Sequence, residues 1–294
     1  MKNILVTGIS GFLGWHFTQK SYKGLKIHGV YHDSRNVPNK EAYTKFDLAK
    51  FNQFEKYLAK LKPEAIIHLV AISKPKDCLQ DPDYSYKMNV VVPNLLALYA
   101  REQKIPFIFT STDLVFDGAK GNYGFEASPN PISLYGQQKY EAEKRVLHTH
   151  PTATILRLPL LYGYTPKRAN FLTDWIKSLK KGKSIVAFTD EYRSPIYVKD
   201  ARKGIIKLLT DRKVGIWHLG GPERIDRYTM ALQLAKKMKV STDLVIPKLQ
   251  KEVDLIVPRP ADVSLNSERT FLEGFEPRRY KEGLERSIKL YRKD

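Results

Sequence analysis

The chain opens Met1-Lys-Asn-Ile-Leu-Val-Thr-Gly-Ile-Ser-Gly-Phe-Leu-Gly14, and this segment restricts the fold more than any other. Ile4, Leu5 and Val6 form a continuous apolar run, the pattern of a strand buried on both faces. Glycines then recur at positions 8, 11 and 14. Gly8 permits a tight turn, Gly11 lets the backbone approach a ligand closely, and Gly14 lets a helix pack on the strand. Ser10, Phe12 and Leu13 complete the turn. Its backbone N–H groups and the start of the helix are placed to face phosphate oxygens. A purely structural turn is the plainer alternative. The motif follows a strand and opens a helix-like run from Gly11 to about Tyr22, which is the context that favours nucleotide binding.

The same alternation continues through the first half. Strands are expected over 27–31, 65–70, 107–111 and 154–158. Helices are expected over 51–61 (ended by Pro63), 83–103 (kinked near Pro93) and 134–149. Strands alternating with helices predict an α/β fold, a Rossmann-like doubly wound parallel sheet. Residues 1–160 read as the nucleotide-binding domain, with segments near 190–220 returning to it. Residues 161–294 read mainly as a smaller α/β substrate lobe. In that part, helices are expected over 169–179, 201–209 and 229–238, and strands over 196–200 and 215–219.

Composition narrows the class. With 42% hydrophobic and 28% charged residues the chain is globular in type. No apolar run approaches the roughly 20 residues that cross a bilayer, so no membrane association is expected. One cysteine, Cys78, rules out an internal disulfide and suits a reducing, cytoplasmic setting. The net charge of +19 is large, but the basic residues are spread along the chain and no nucleic-acid module accompanies them. An anionic small-molecule substrate is the better match, with no nucleic-acid partner expected.

The ends of the later strands supply further candidates for the nucleotide. After the second strand an acid would select NAD(H) by binding the ribose hydroxyls. Here Tyr31 takes that place, with Asp33 two residues on, and His32, Ser34 and Arg35 are suited to a 2′-phosphate. The balance favours NADP(H), with NAD(H) the other option. Asp47 and Leu48 suit an adenine contact, and Leu69, Val70 and Ala71 would run beside the cofactor.

Tyr135 and Lys139 stand four residues apart on the predicted helix 134–149, hence on one face. An ammonium beside a phenol favours the phenolate, making Tyr135 a general acid–base candidate. In a chain with 17 Tyr and many Lys this pair alone is weak. Ser111 and Thr112, closing the strand one helix earlier, add hydroxyl groups where a parallel sheet presents its chemistry. His148 and His150 lack a ligand pattern, and His68 and His218 fall in predicted strands, so no metal site is expected.

Taken together, the glycine turn, Thr112 and Tyr135-x-x-x-Lys139 resemble the extended short-chain dehydrogenases/reductases. Four phrases narrow the likeness: 111–118, 131–139, 157–163 and 259–265. They are similar to dTDP-4-dehydrorhamnose reductase and to the regulatory beta subunit of methionine adenosyltransferase. The resemblance implies a catalytic set of Thr112, Tyr135 and Lys139, with Ser111 and Arg157 beside the cofactor. It implies an NADP(H)- or NAD(H)-dependent reductase of a nucleotide-diphosphate sugar bearing a 4-keto group, with homodimers expected by analogy. Thr112, Asp113, Phe116, Arg193 and Arg259 become substrate candidates, Thr112 as a donor to the ketone oxygen and the two arginines as partners for a diphosphate. Asp113 is followed by Leu114 rather than a second acid, which argues against a dehydratase. An epimerase and a cofactor-binding regulatory subunit are the remaining alternatives.

Overall fold

The structure, a computed structural model, describes residues 1–32, 37, 40–166 and 168–292. Its centre is a seven-stranded sheet. Six strands come from the first half: β1 (Lys2–Thr7), β2 (Leu25–Tyr31), β3 (Thr44–Lys45), β4 (Ala65–His68), β5 (Phe107–Thr112) and β6 (Thr154–Leu158). The seventh is Gly215–His218. Across the sheet the order is 215–218, β6, β5, β4, β1, β2, β3. The β1–β2, β1–β4, β2–β3 and β4–β5 pairings are parallel. This is the Rossmann arrangement: the chain builds outward from β1 to β3, then returns to β1's other side with β4. The order reverses between β1 and β4, where such sheets bind ligands at their carboxyl ends.

Burial explains why these segments are strands. All four residues of β4 and Ile4–Thr7 of β1 are buried, so the runs are apolar without alternation. Phe54 and Leu58 of the amphipathic helix Phe51–Leu61 close one part of the core with Leu5, Ile66, Leu96 and Phe107.

The chain divides into two compact units. The first comprises 1–112, 134–157 and 202–217; the second comprises 113–133, 158–201 and 218–294. Residues 113–133, expected in the first domain, belong to the second unit, and the later segment that belongs to the first unit is 202–217. In the second unit Ile185–Phe188 pairs in parallel with Val245–Lys248, and helix Arg227–Met238 lies between Asp226, its side-chain cap, and the left-handed Lys239.

Two helices differ from expectation for local reasons. The run after the glycine turn is helical only over Phe12–Trp15. Beyond it the bonds tighten, with His16 N–H donating to Leu13 O, Phe17 to Gly14 and Thr18 to Trp15. The Thr18 hydroxyl also donates to Trp15 O at 2.7 Å, a side-chain competitor that disfavours helix continuation. The long helix expected over 83–103 is continuous but contains a π-helical turn at Lys87–Val91. Pro93 has no N–H to donate one turn back, and a wider turn absorbs that loss.

Candidate active site

Gly8 follows β1 with φ 78°, in the left-handed region that only glycine enters freely. A Cβ there would lie 3.0 Å from Val70 Cγ2, so the turn sits directly against the segment following β4. At Gly14 a Cβ would fall 2.0 Å from Gly8 O. The turn is thus closed upon itself, with Gly11 N–H donating to Gly8 O at 2.9 Å. Phe12 and Leu13 open the short helix, and their N–H groups, as first-turn donors, have no helical acceptor. This bare backbone suits a pyrophosphate, and the switch point is where one would lie. Ser10 is half-buried; Leu69, Val70 and Ala71 are half-buried just beyond β4.

The adenosine candidates are less concentrated. His32 is exposed immediately after β2. Ser34 and Arg35 lie outside the described residues. Asp47 and Leu48 follow β3 rather than end it. Asp47 Oδ1 accepts the Ala49 N–H at 3.0 Å, and Leu48 is buried in the core.

Ser111 and Thr112 are the last residues of β5, both buried. Helix Leu134–Thr149 matches its expected bounds and buries Tyr135, Gln138, Lys139 and Glu143. A helix normally buries an apolar stripe; burying four polar side chains is costly unless each finds a partner. Lys139 is 1% exposed, and its ammonium lies 3.8 Å from the centroid of the Phe109 ring in β5. Desolvation brings its pKa down to about 7, with the Glu143 charge acting in the opposite direction. In its protonated form, which predominates below about pH 7, this lysine is a cation that little solvent shields, the condition under which its charge acts strongly on a neighbouring phenol.

Glu143, one turn beyond Lys139, was not singled out from sequence, nor were Gln138 and Asn89. Glu143 accepts from Arg157 at 3.1 and 3.2 Å (Nε) and 2.7 Å (Nη2). Arg157, expected beside the cofactor, is therefore engaged by a carboxylate and buried. Asn89, within the π turn, donates to Ile72 O at 3.1 Å and Gln138 Oε1 at 2.8 Å, and accepts the Ile72 N–H at 2.9 Å. It ties the segment following β4 to the helix carrying Tyr135. The repeat at 135, 139 and 143 was a readable signal for Glu143; Asn89 had none.

Of the substrate candidates, Thr112 ends the first stretch of the first unit, and Asp113, Phe116, Arg193 and Arg259 fall in the second unit. Phe116 is fully buried and stacks on Tyr123, rings 4.1 Å apart at 7°. Asp113 is also buried. Arg193 and Arg259 converge on one carboxylate, Glu191, at 3.4 and 2.9 Å. Arg193 is largely consumed by backbone, donating to Tyr192 O at 2.6 Å and Pro260 O at 3.2 Å. Arg259 keeps 47% of its side chain exposed. A third guanidinium, Arg227, lies 3.9 Å from Glu191 and over Phe171 and Trp175. Its Nη1 is buried without a hydrogen-bond partner, and burial chiefly lowers its pKa to about 10. Three cations around one anion leave a net positive centre.

In the first unit a cavity of about 490 Å³ opens elsewhere, among Lys104, Pro106, His150, Thr154, Leu208 and Lys213. None of Thr112, Tyr135 or Lys139 lines it. His150 there bonds Ile105 O and Thr152. Among the described residues no cluster of His, Cys, Asp and Glu is arranged to hold a metal, and no helix is long and apolar enough to cross a membrane.

Residues 1–293 match the family described as the RmlD substrate binding domain. The chain belongs to that family. Among its relatives is the methionine adenosyltransferase 2 subunit beta of Xenopus tropicalis. It is 30% identical, over 90% of this chain and 80% of that protein. Two solved structures share the fold closely. The dTDP-4-dehydrorhamnose reductase of Bacillus anthracis, in complex with NADP, is 25% identical with a TM-score of 0.87, covering 98% of this chain and 99% of that one. An ortholog of the same reductase from Clostridium acetobutylicum is also 25% identical with a TM-score of 0.87, covering 99% of each chain.

Proposed function

We propose that this RmlD-family protein is an NADPH-dependent reductase of a nucleotide-diphosphate-linked 4-keto-deoxysugar, with NADH the alternative donor. The observation that carries the reading is the buried polar stripe of helix 134–149, with Lys139 desolvated beside β5 and Thr112 closing that strand. The NADP in the Bacillus anthracis structure supports the cofactor choice. The glycine turn would take the pyrophosphate at Gly8, Ser10, Gly11, Phe12, Leu13 and Gly14, and Leu69–Ala71 would flank the nicotinamide half.

When bound, the reduced nicotinamide supplies a hydride to the carbonyl carbon. The chain's own part is to hold and protonate the oxygen. The Tyr135 phenol gives its proton to the carbonyl oxygen as negative charge develops there, and the Thr112 hydroxyl donates to the same oxygen. The C=O becomes CH–OH and Tyr135 is left as phenolate, which the Lys139 ammonium offsets. Such a positioned acid contributes on the order of 10²–10⁴ in rate. The net positive centre of Arg193, Arg227 and Arg259 around Glu191 supports an anionic substrate, and half-exposed Arg259 is the residue best placed to give a phosphate oxygen two N–H groups.

A second reading rests on the likeness to the methionine adenosyltransferase 2 subunit beta: the same fold serving as a cofactor-binding regulatory subunit. Turnover of NADPH with dTDP-4-keto-6-deoxy-L-mannose decides for the reductase. Absence of turnover across several nucleotide-linked keto sugars, with tight copurification of a methionine adenosyltransferase, decides for the subunit. For cofactor choice, Arg35→Ala is expected to weaken NADPH much more than NADH; equal effects exclude a 2′-phosphate role for Arg35.

A further inference from the structure

Three helices of the first unit end around the cavity of about 490 Å³. They close at Glu102, Thr149 and Thr210, and Lys104, His150 and Arg212, just past those ends, line the cavity. It lies at the amino edge of the sheet, beside Pro106 before β5 and Thr154 opening β6. Thr112 closes β5 at the opposite edge. The floor is apolar, with Ile108 and Leu208 both buried. The polar groups within it are engaged by the protein itself. Thr154 Oγ1 donates to Lys213 O, and the His150 ring is held by Ile105 O and Thr152 Oγ1 at 3.1 and 3.2 Å. Charge at the mouth has one sign. Arg101, Lys104, Arg212 and Lys213 line it, and no Asp or Glu is among the described residues that do. Asp211, adjacent in sequence, pairs with Lys207 at 2.8 Å.

Two of these cations stand where glycine is the usual residue. The helices ending at Glu102 and Thr210 both close in a Schellman turn. In the first, Ile105 N–H donates to Ala100 O and Lys104 N–H to Arg101 O; in the second, Lys213 N–H donates to Leu208 O and Arg212 N–H to Leu209 O. The corner residue is left-handed in each, φ 55° at Lys104 and 50° at Arg212, a conformation glycine takes without the Cβ penalty. A long side chain kept at a strained corner calls for a reason. Offsetting the helix dipoles is one, but three C-termini carry only about half a negative charge each, roughly −1.5 in all. Four cations exceed that, leaving a surplus of about two positive charges above an apolar floor. We propose that this cavity is a ligand site, separate from Thr112, Tyr135 and Lys139, for a small amphipathic anion: a compact apolar body bearing a carboxylate, sulfonate or phosphate. Its volume is that of small-molecule sites. A sugar-like body fits poorly, since its hydroxyls would meet apolar walls and polar groups already bonded.

The left-handed corners supply the test, because Lys104→Gly with Arg212→Gly removes two cations at positions that relax on substitution. The full chain is titrated with 8-anilinonaphthalene-1-sulfonate at low ionic strength, followed by its fluorescence, and with N-phenyl-1-naphthylamine, the same ring body without the sulfonate. The double glycine variant is expected to bind the sulfonate about fivefold or more weakly, as loss of two half-solvated charges requires. It is expected to bind the neutral amine as the native chain does and to melt no lower. Lys104→Arg with Arg212→Lys keeps both charges and is expected to hold the sulfonate affinity within about twofold. Lys104→Asn with Arg212→Asn, also tolerant of the left-handed corner, serves where the glycine variant does not fold. No sulfonate binding by the native chain, unchanged affinity in the glycine or asparagine variant, or an equal loss for the neutral amine overturns the proposal. So does a loss that the charge-keeping variant shares. None of these results depends on whether the chain turns over NADPH.

Discussion

Replacing Glu143 by Gln removes one charge from a pair whose side chains are both 2% exposed. Arg157 then keeps its charge and faces a neutral carboxamide in place of the Glu143 carboxylate. An exposed ion pair broken this way costs about 0–1 kcal/mol. A buried one costs about 3–5 kcal/mol, because the partner's desolvation is no longer offset. With three donor–acceptor contacts at 2.7–3.2 Å and no solvent to replace them, the larger figure applies. For a chain of this size that lowers the melting temperature by roughly 6–10 °C, taking about 2 °C per kcal/mol. The double variant Glu143→Leu with Arg157→Leu removes both charges together and is expected to recover most of the loss, since apolar isosteres of buried pairs are often neutral. Urea unfolding followed by far-ultraviolet circular dichroism measures both. A Glu143→Gln loss below about 1 kcal/mol, or a double variant as unstable as the single, refutes the reasoning.

Three further outcomes follow from the same geometry. Gly14→Ala places a methyl 2.0 Å from Gly8 O and is expected to abolish NADPH binding by fluorescence titration; Gly24→Ala, with φ 77° but no neighbour within 4 Å, costs only the strain of a left-handed alanine, about 1 kcal/mol. Tyr135→Phe is expected to lower turnover on the order of 10²-fold or more while leaving cofactor affinity within a few-fold, as loss of an acid requires. Lys139 is brought down to about 7 from 10.5 by burial, so between those values the unfolded chain binds the extra proton and stability rises with pH. Lys139→Met is therefore expected to stabilise the protein most below pH 7, and its advantage in urea unfolding is expected to shrink as pH rises toward 10.5; a pH-independent difference contradicts the assigned desolvation.

The sheet and the spine of the site were legible in the sequence because they rest on short-range pattern. Helix 134–149 and helix 51–61 have the bounds their periodicity and Pro63 imply. Continuous apolar runs mark β1, β4 and β5 because those strands are covered on both faces. What could not be read depends on contacts far apart in the chain. Ile185–Phe188 becomes a strand by pairing with Val245–Lys248, and neither run shows an alternation that announces it. Residues 113–133 join the second unit through contacts such as the parallel bridge of Tyr123 with Leu265 and the close fit of Gly118 against Ala261. The site shows the same division. Tyr135 and Lys139 stand out by spacing, whereas Asn89 acquires its role only when the π turn brings it to Ile72 and Gln138. Arg193, legible as a basic residue near a strand, is mostly occupied by the carbonyls of Tyr192 and Pro260, which no spacing reveals.

In the proposed reductase reading, the Tyr135–Lys139 stripe protonates a sugar ketone as hydride reaches it. This reading is tested most directly by following NADPH absorbance as the purified protein meets dTDP-4-keto-6-deoxy-L-mannose, beside the Tyr135→Phe variant. Steady NADPH consumption by the native chain is expected, with near-complete loss in the variant. Equal consumption by both proteins, or none by the native chain with this or other nucleotide-linked keto sugars, contradicts it.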